Sequence, residues 1–169
     1  KIVIKALIKR WNKAPRKFKV DGKVVWHYSE LLTRLNANQE ADLAIESALT
    51  KSWSDELVGL YGEQNYGISP QQLMNAESWL KERPANATLL LALGRICMRN
   101  ELWGKAKGYY LSSIKIAATA DAYLELSRLL KYLGEEEGSE KYLQEYRELI
   151  GKHFPKLPLP PEPAAAQSN

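Results

Sequence analysis

The 169-residue chain has a single cysteine, Cys97, so no intrachain disulfide and no cysteine-based zinc site can form. Long apolar runs are missing too. The longest candidate follows Thr88 and is stopped by Arg95 after six residues, whereas a membrane-spanning helix needs roughly 20. The chain as it stands is therefore expected to be soluble. Phosphate-cradling glycine patterns are also absent. No G-x-G-x-x-G occurs, and Gly104-Lys105 fails as the end of a P-loop. The first glycine would fall on Arg99, and the residue after the lysine is Ala106, which has no hydroxyl for a metal. With two histidines and one cysteine, His27, His153 and Cys97, no nucleophile–base pair is indicated, and no catalytic residues are expected. Each lone histidine is expected at the surface or a helix end rather than on a metal, and Cys97 as a small buried hydrophobe.

What is present is ordinary in amount and uneven in place. Charged residues make up 26% and apolar ones 45%, a composition usual for a globular protein. Residues 1–23 carry nine Lys or Arg against the single acid Asp21, a net +8, so the remainder carries −4. A basic end with Trp11 and Phe18 interleaved can meet anionic lipid or, less favourably, nucleic acid. Near a membrane each cation contributes about 1 kcal/mol. The first 20 residues are expected to be a basic helix and loop, either the remnant of a preceding repeat or a membrane-proximal segment. Residues 152–169, rich in proline, are expected to be a disordered tail of polyproline II character.

Between these ends the chain repeats itself. Large–small pairs recur at Tyr28-Ser29, Leu60-Tyr61, Leu93-Gly94 and Leu126-Ser127, spaced 32, 33 and 33 residues apart, with Tyr61 the weak copy. A second series, Ala41, Ala76, Ala106 and Ser139, falls in the following helices. A third, Ile45, Leu80, Tyr110 and Leu143, lies four residues later. Such interlocked series fit antiparallel helix pairs: a small residue where the partner crosses closely, then a knob one turn on. A period near 34 with this pattern marks tetratricopeptide (TPR) repeats. The expected fold is all-α, a TPR-like solenoid of about four helical hairpins over residues 22–151. Turns are expected at "NANQ", at a lengthened "GEQNYGISPQQ" and at Gly134. Ser69-Pro70 should open a helix and Pro84 close it.

The stretches "ELVGLYG", "AESWLKERPANATLLLALGRICMRNELWGKAKGYYLSS" and "AYLELSRLLKYLGE" resemble the C-terminal TPR region of the HemY family, from roughly Trp26 to Ile150. Its members are proteobacterial inner-membrane proteins associated with late heme (porphyrin) biosynthesis. The resemblance implies two membrane helices preceding Lys1 and a domain facing the cytoplasm. Together with the charge of the groove described next, it gives the expected function, a scaffold for late heme-pathway enzymes.

A solenoid of helix pairs binds partners on the concave face of its first helices. At spacings of about i, i+3, i+4 and i+7, that face should present Trp26, Glu30, Thr33 and Arg34, then Leu91, Arg95, Met98 and Arg99. In the last repeat it should present Leu124, Arg128, Lys131 and Tyr132. Four cations with an aromatic rim suit a carboxylate-bearing ligand. That ligand is expected to be an acidic segment of a protein partner. The alternative is a heme or porphyrin with its propionates, and no cofactor or metal is otherwise expected. A generic TPR adaptor outside heme metabolism is the further alternative.

Overall fold

A computed structural model of the chain describes residues 1–64 and 67–161. Among these residues the secondary structure is entirely helical, in the order α1 (Ile2–Lys13), α2 (Gly22–Arg34), α3 (Asn38–Lys51), α4 (Asp55–Glu63), α5 (Pro70–Glu82), α6 (Ala87–Arg99), α7 (Trp103–Ile116), α8 (Ala120–Tyr132) and α9 (Glu136–Gly151). The helices pair as α2/α3, α6/α7 and α8/α9 in a helical-repeat arrangement, and α1 lies before the first pair. The helix α4 instead packs mainly on α6 and meets α5 through side chains, Gln72 Nε2 donating to Tyr61 O and the Tyr61 ring lying against Trp79.

Each first helix begins on a side-chain cap at a repeating position. Asp21 accepts from the Val24 N–H, Ser54 from Leu57, Asn86 from Leu89 and Thr119 from Ala122. Each cap satisfies an N–H that the helix leaves without an internal partner, an interaction of about 1 kcal/mol. Three of these helices end alike. Asn36, Glu101 and Gly134 take left-handed backbone at φ 57°, 59° and 79°. The next residue's N–H then reaches back to close the turn: Ala37 to Leu32 O, Leu102 to Cys97 O and Glu135 to Leu130 O, at 2.8, 2.9 and 2.9 Å. This glycine-type C-terminal motif satisfies the last carbonyls and turns the chain directly into the next helix. The helices α3, α7 and α9 accordingly start without a side-chain cap.

The second hairpin breaks that rule. Its turn is the lengthened segment expected from the sequence, of which Asn65 and Tyr66 lie outside the described residues. The helix α5 therefore starts afresh, with Pro70 in its first turn and Ser69 Oγ accepting from Gln72 N. The chain leaves α5 ahead of Pro84.

The main core runs through α2 to α8, with Leu57, Val58, Tyr61, Leu89, Leu93, Ile96, Tyr110 and Leu126 all essentially inaccessible. The repeated small residues mark close crossings. A Cβ on Gly94 would lie 2.6 Å from the Tyr110 ring, so the glycine is what lets that ring enter. In the last hairpin Ser127 Oγ donates to Ser139 O (2.9 Å) and Ser139 Oγ to Ser127 O (2.8 Å), tying α8 to α9 while both side chains stay buried. Ala106 is fully buried opposite, whereas Leu143 is only half-buried and Tyr142 packs on the core.

One copy of the series is corrected by the fold. In the second repeat the large–small pair is Tyr61-Gly62, one residue later than Leu60-Tyr61. Tyr61 is fully buried, and a Cβ on Gly62 would sit 2.6 Å from Ala92 Cβ and 2.7 Å from its Cα. The small residue here serves the crossing of α4 with α6 instead of its own hairpin.

The helix α1 packs through Ile4, Leu7, Ile8 and Trp11 on a smaller cluster formed by Tyr28, Leu32, Ala37 and Ala41. The Trp11 and Tyr28 rings stack at 3.9 Å. At the other end Pro155–Pro161 are exposed and carry no helix or strand, and residues 162–169 of the expected tail lie outside the described residues. No helix among the described residues is long and apolar enough to cross a membrane.

Candidate functional site

Where α4 and α6 touch backbone to backbone, α6 and α8 stand apart and enclose a pocket of about 780 Å³. From α6 it is lined by Arg95, Met98 and Arg99, and from α8 by Glu125, Arg128, Leu129 and Tyr132. Leu133, Trp103 and Tyr110, with Gly62 and Glu63 at the end of α4, complete it. A cavity of this size is in the range that holds a small ligand or a few side chains of a partner.

The pocket gathers five of the expected groove residues, Arg95, Met98, Arg99, Arg128 and Tyr132, and leaves out the others. Leu91 shares their helix face but lies one turn nearer the start of α6, where the face is closed, and it joins the core. Leu124 and Lys131 do not line the pocket. At about 100° per residue, the stripe Glu125, Arg128/Leu129, Tyr132/Leu133 turns both of them away by more than a quarter turn. Trp26 lines a separate small hollow with Lys23, His27 and Glu56. Glu30 and Arg34 bond to each other along α2 at 2.7 Å, and Thr33 donates to Gln64 Oε1 at 2.8 Å.

The arginines do not stand free as the sequence reading expected. Arg95 makes a two-pronged contact with Glu125, Nε to Oε1 at 2.9 Å and Nη2 to Oε1 at 2.6 Å. The same Nη2 reaches Asp121 Oδ2 at 3.1 Å, and Nη1 lies 3.5 Å from Glu63 Oε1. It is thus a strut joining α4, α6 and α8. Burial works against its charge, but the surrounding carboxylates, Glu125 foremost, more than offset this and raise its pKa. Arg99 donates to Gly62 O at 2.8 Å and Gln72 Oε1 at 3.2 Å, which fixes α6 to the end of α4 and to α5. Burial lowers its pKa in spite of Asp42 nearby.

Arg128 differs. It is exposed on the pocket wall and has no hydrogen bond or ion pair among the described residues. Around it lie Met98, Leu129 and Leu133, together with Trp103, 42% exposed, and Tyr132, 88% exposed. An unpartnered aromatic of that exposure beside a cation is the pocket's main unspent surface. Tyr110 forms the floor, its phenol driven well up by burial and then by Glu125.

Sequence reasoning missed Glu63 and Glu125, which neutralise the strut, and Trp103, Leu129 and Leu133. The signal for the acids was present: Glu63 and Glu125 lie about one repeat before and after Arg95, and opposite charges at the repeat period meet across neighbouring first helices. Cys97 is fully buried, and burial raises its thiol to about 11. His27 and His153 are both exposed and outside the pocket. Among the described residues no group of three metal-ligating side chains converges. No protein-family model matches this chain, and a search of curated proteins finds no match.

Proposed function

We propose that this chain is a non-catalytic TPR-type scaffold domain that holds a partner protein in the pocket between α6 and α8. The observation that carries the reading is the pocket itself: apolar and aromatic walls around a single unengaged cation, Arg128. The partner's chemistry follows from it. An aliphatic or aromatic side chain fills the space between Met98, Trp103 and Leu133, and a carboxylate on the same segment meets Arg128. Arg95 and Arg99 shape the walls and do not receive the ligand.

The resemblance of "ELVGLYG" and the block from Trp79 to Ala106 to the HemY family supports a more specific reading. In it the domain belongs to a membrane-anchored protein of the bacterial inner membrane and faces the cytoplasm. Its partners are then the enzymes of late heme biosynthesis. The periodic caps, left-handed turns and small-residue crossings support TPR repeats in particular. Under this reading residues 1–23 lie beside the membrane and their cations face anionic lipid.

The test is capture of late heme-pathway enzymes from detergent-solubilised membranes by the parent domain and by Arg128→Glu and Tyr132→Ala. Capture by the parent, lost in both variants at unchanged helicity, is the expected result. Capture that both variants retain overturns the pocket assignment, and capture of a single unrelated protein favours a generic adaptor.

A second reading, a heme or porphyrin carrier, is favoured by one observation, the volume of about 780 Å³ within aromatic walls. Saturable one-to-one binding of protoporphyrin IX, weakened by Arg128→Glu, would establish it. Replacing His27 or His153 should leave such binding unchanged, since neither lines the pocket.

A further inference from the structure

A second cavity, of about 490 Å³, shares no residue with the first. It is bounded by the α2–α3 turn, by α3 and by the start of α5. Three carboxylates of α3, from Glu40, Asp42 and Glu46, line it together with five Asn or Gln side chains and no Lys or Arg. Leu43 and Ile68 stand at its surface, 62% and 68% exposed.

The decisive group is Asp42. It is only 8% exposed, and its Oδ1 has no hydrogen-bond partner among the described residues. A buried carboxylate oxygen without a partner is costly in any folded protein, and its neighbours do not relieve it. Glu46, on the same helix, adds a like charge; it accepts from Tyr61 of α4 (2.8 Å) and Asn75 of α5 (2.7 Å), both on Oε1. Arg99 of α6 is the cation facing Asp42, but it directs its hydrogen bonds to Gly62 and Gln72. The cavity therefore carries three carboxylates and no lining cation of its own.

We propose that this cavity receives an arginine side chain of a partner polypeptide, its guanidinium set against Asp42 and its methylenes against Leu43 and Ile68. A guanidinium fits better than an ammonium, because its five N–H donors lie in one plane and can serve a carboxylate and several amide oxygens together. Its apolar stem covers aliphatic surface while the head stays polar. A metal ion fits worse, because no three ligating side chains converge among the described residues. Burial, then Glu46, raise the Asp42 carboxyl to about 7 against the opposing pull of Arg99. The guanidinium binds the ionised carboxylate, so binding strengthens as pH rises through that value. The cavity adjoins the α6–α8 pocket through the Arg99–Gln72 contact but shares no lining residue with it, and either reading can fail alone.

The test is an NMR titration of the whole chain with N-acetyl-arginine amide, with its neutral citrulline analogue as control, at pH 6 and pH 8. The expected result is saturable shifts confined to residues near 38–46 and 68–72, with an affinity in the millimolar range. That affinity should rise roughly tenfold from pH 6 to pH 8, following Asp42 ionisation. The citrulline analogue should bind at least about tenfold more weakly, as a charge-assisted pair requires. Asp42→Asn should abolish the pH dependence and most of the binding at unchanged helicity. Shifts that stay linear throughout, equal binding of the citrulline analogue, or full binding by a folded Asp42→Asn overturn the proposal. So does calcium producing the same shifts at lower concentration. Should Asp42→Asn not fold, the citrulline control and the parent's pH dependence decide the matter.

Discussion

The crossing of α4 with α6 and the gap between α6 and α8 are neighbours in the same helical-repeat arrangement, and they differ in what fills the seam. In the first, Gly62 faces Ala92 and the backbones close to contact. In the second, the residues facing across are Arg95 and Glu125, whose long side chains hold the helices apart and leave a pocket between them. A seam closes where both residues are small and stays open where both are long and charged. The pocket is thus a local departure from the repeat, set by side-chain length.

The closed seam should be the more costly of the two to disturb. Gly62→Ala puts a methyl against the Ala92 backbone, which cannot yield, and should cost about 3 kcal/mol by thermal or urea unfolding. Gly94→Ala meets the Tyr110 ring, which can tilt, so its cost should be smaller, roughly 1–2 kcal/mol. Equal costs would contradict the distinction between backbone and side-chain contact.

The open seam should prove softer. Arg95→Met removes the strut and should cost about 1–2 kcal/mol, because the pair is half-buried and part of its attraction is screened. The loss should be smaller in high salt. Amide exchange in α8 should rise while that in α4 does not.

Asp42 gives a pH signature of its own. Its folded pKa is raised from 3.8 to about 7, so the folded state holds a proton that the unfolded chain releases. Stability from this group is present below about pH 4 and is lost as pH rises through about 7. The stability advantage of Asp42→Asn over the parent should therefore grow between these limits and level off above them. A constant difference would place Asp42 in a normal environment.

The smallest effect lies in the turns. Glu101 holds left-handed backbone where Gly134 does the same work in the next repeat. Glu101→Gly should stabilise by up to about 1 kcal/mol, and Gly134→Ala should destabilise by a similar amount.

Much of the all-α frame was legible because it rests on one-residue physics at a fixed period. Small residues at crossings, Ser69 as a cap, and Gly134 and Pro84 as breakers each declare themselves locally; the Asn86 cap did not. The Tyr61-Gly62 copy was misread by one residue, although Gly62 is the small residue that the pattern asks for; its approach to Ala92 fixes the register. The pocket was half legible. Helix spacing put Arg95, Met98, Arg99, Arg128 and Tyr132 on facing sides, since a helix face follows from sequence alone. That Arg95 and Arg99 are already engaged depends on Glu125, Gly62 and Gln72, 27 to 37 residues away, and spacing within one helix carries no such information. Lys131 was misplaced because the face was counted from Leu124, seven residues earlier and nearly in line with it, and Leu124 is itself turned away from the pocket.

If a partner docks in the α6–α8 pocket as proposed, a photo-crosslinking amino acid at position 132 should capture it in cells. Crosslinking to one membrane enzyme from position 132, absent from the exposed position 115 on α7 and abolished by Arg128→Glu, is the predicted result. Crosslinking that is equal at both positions, or that persists in Arg128→Glu, would contradict it.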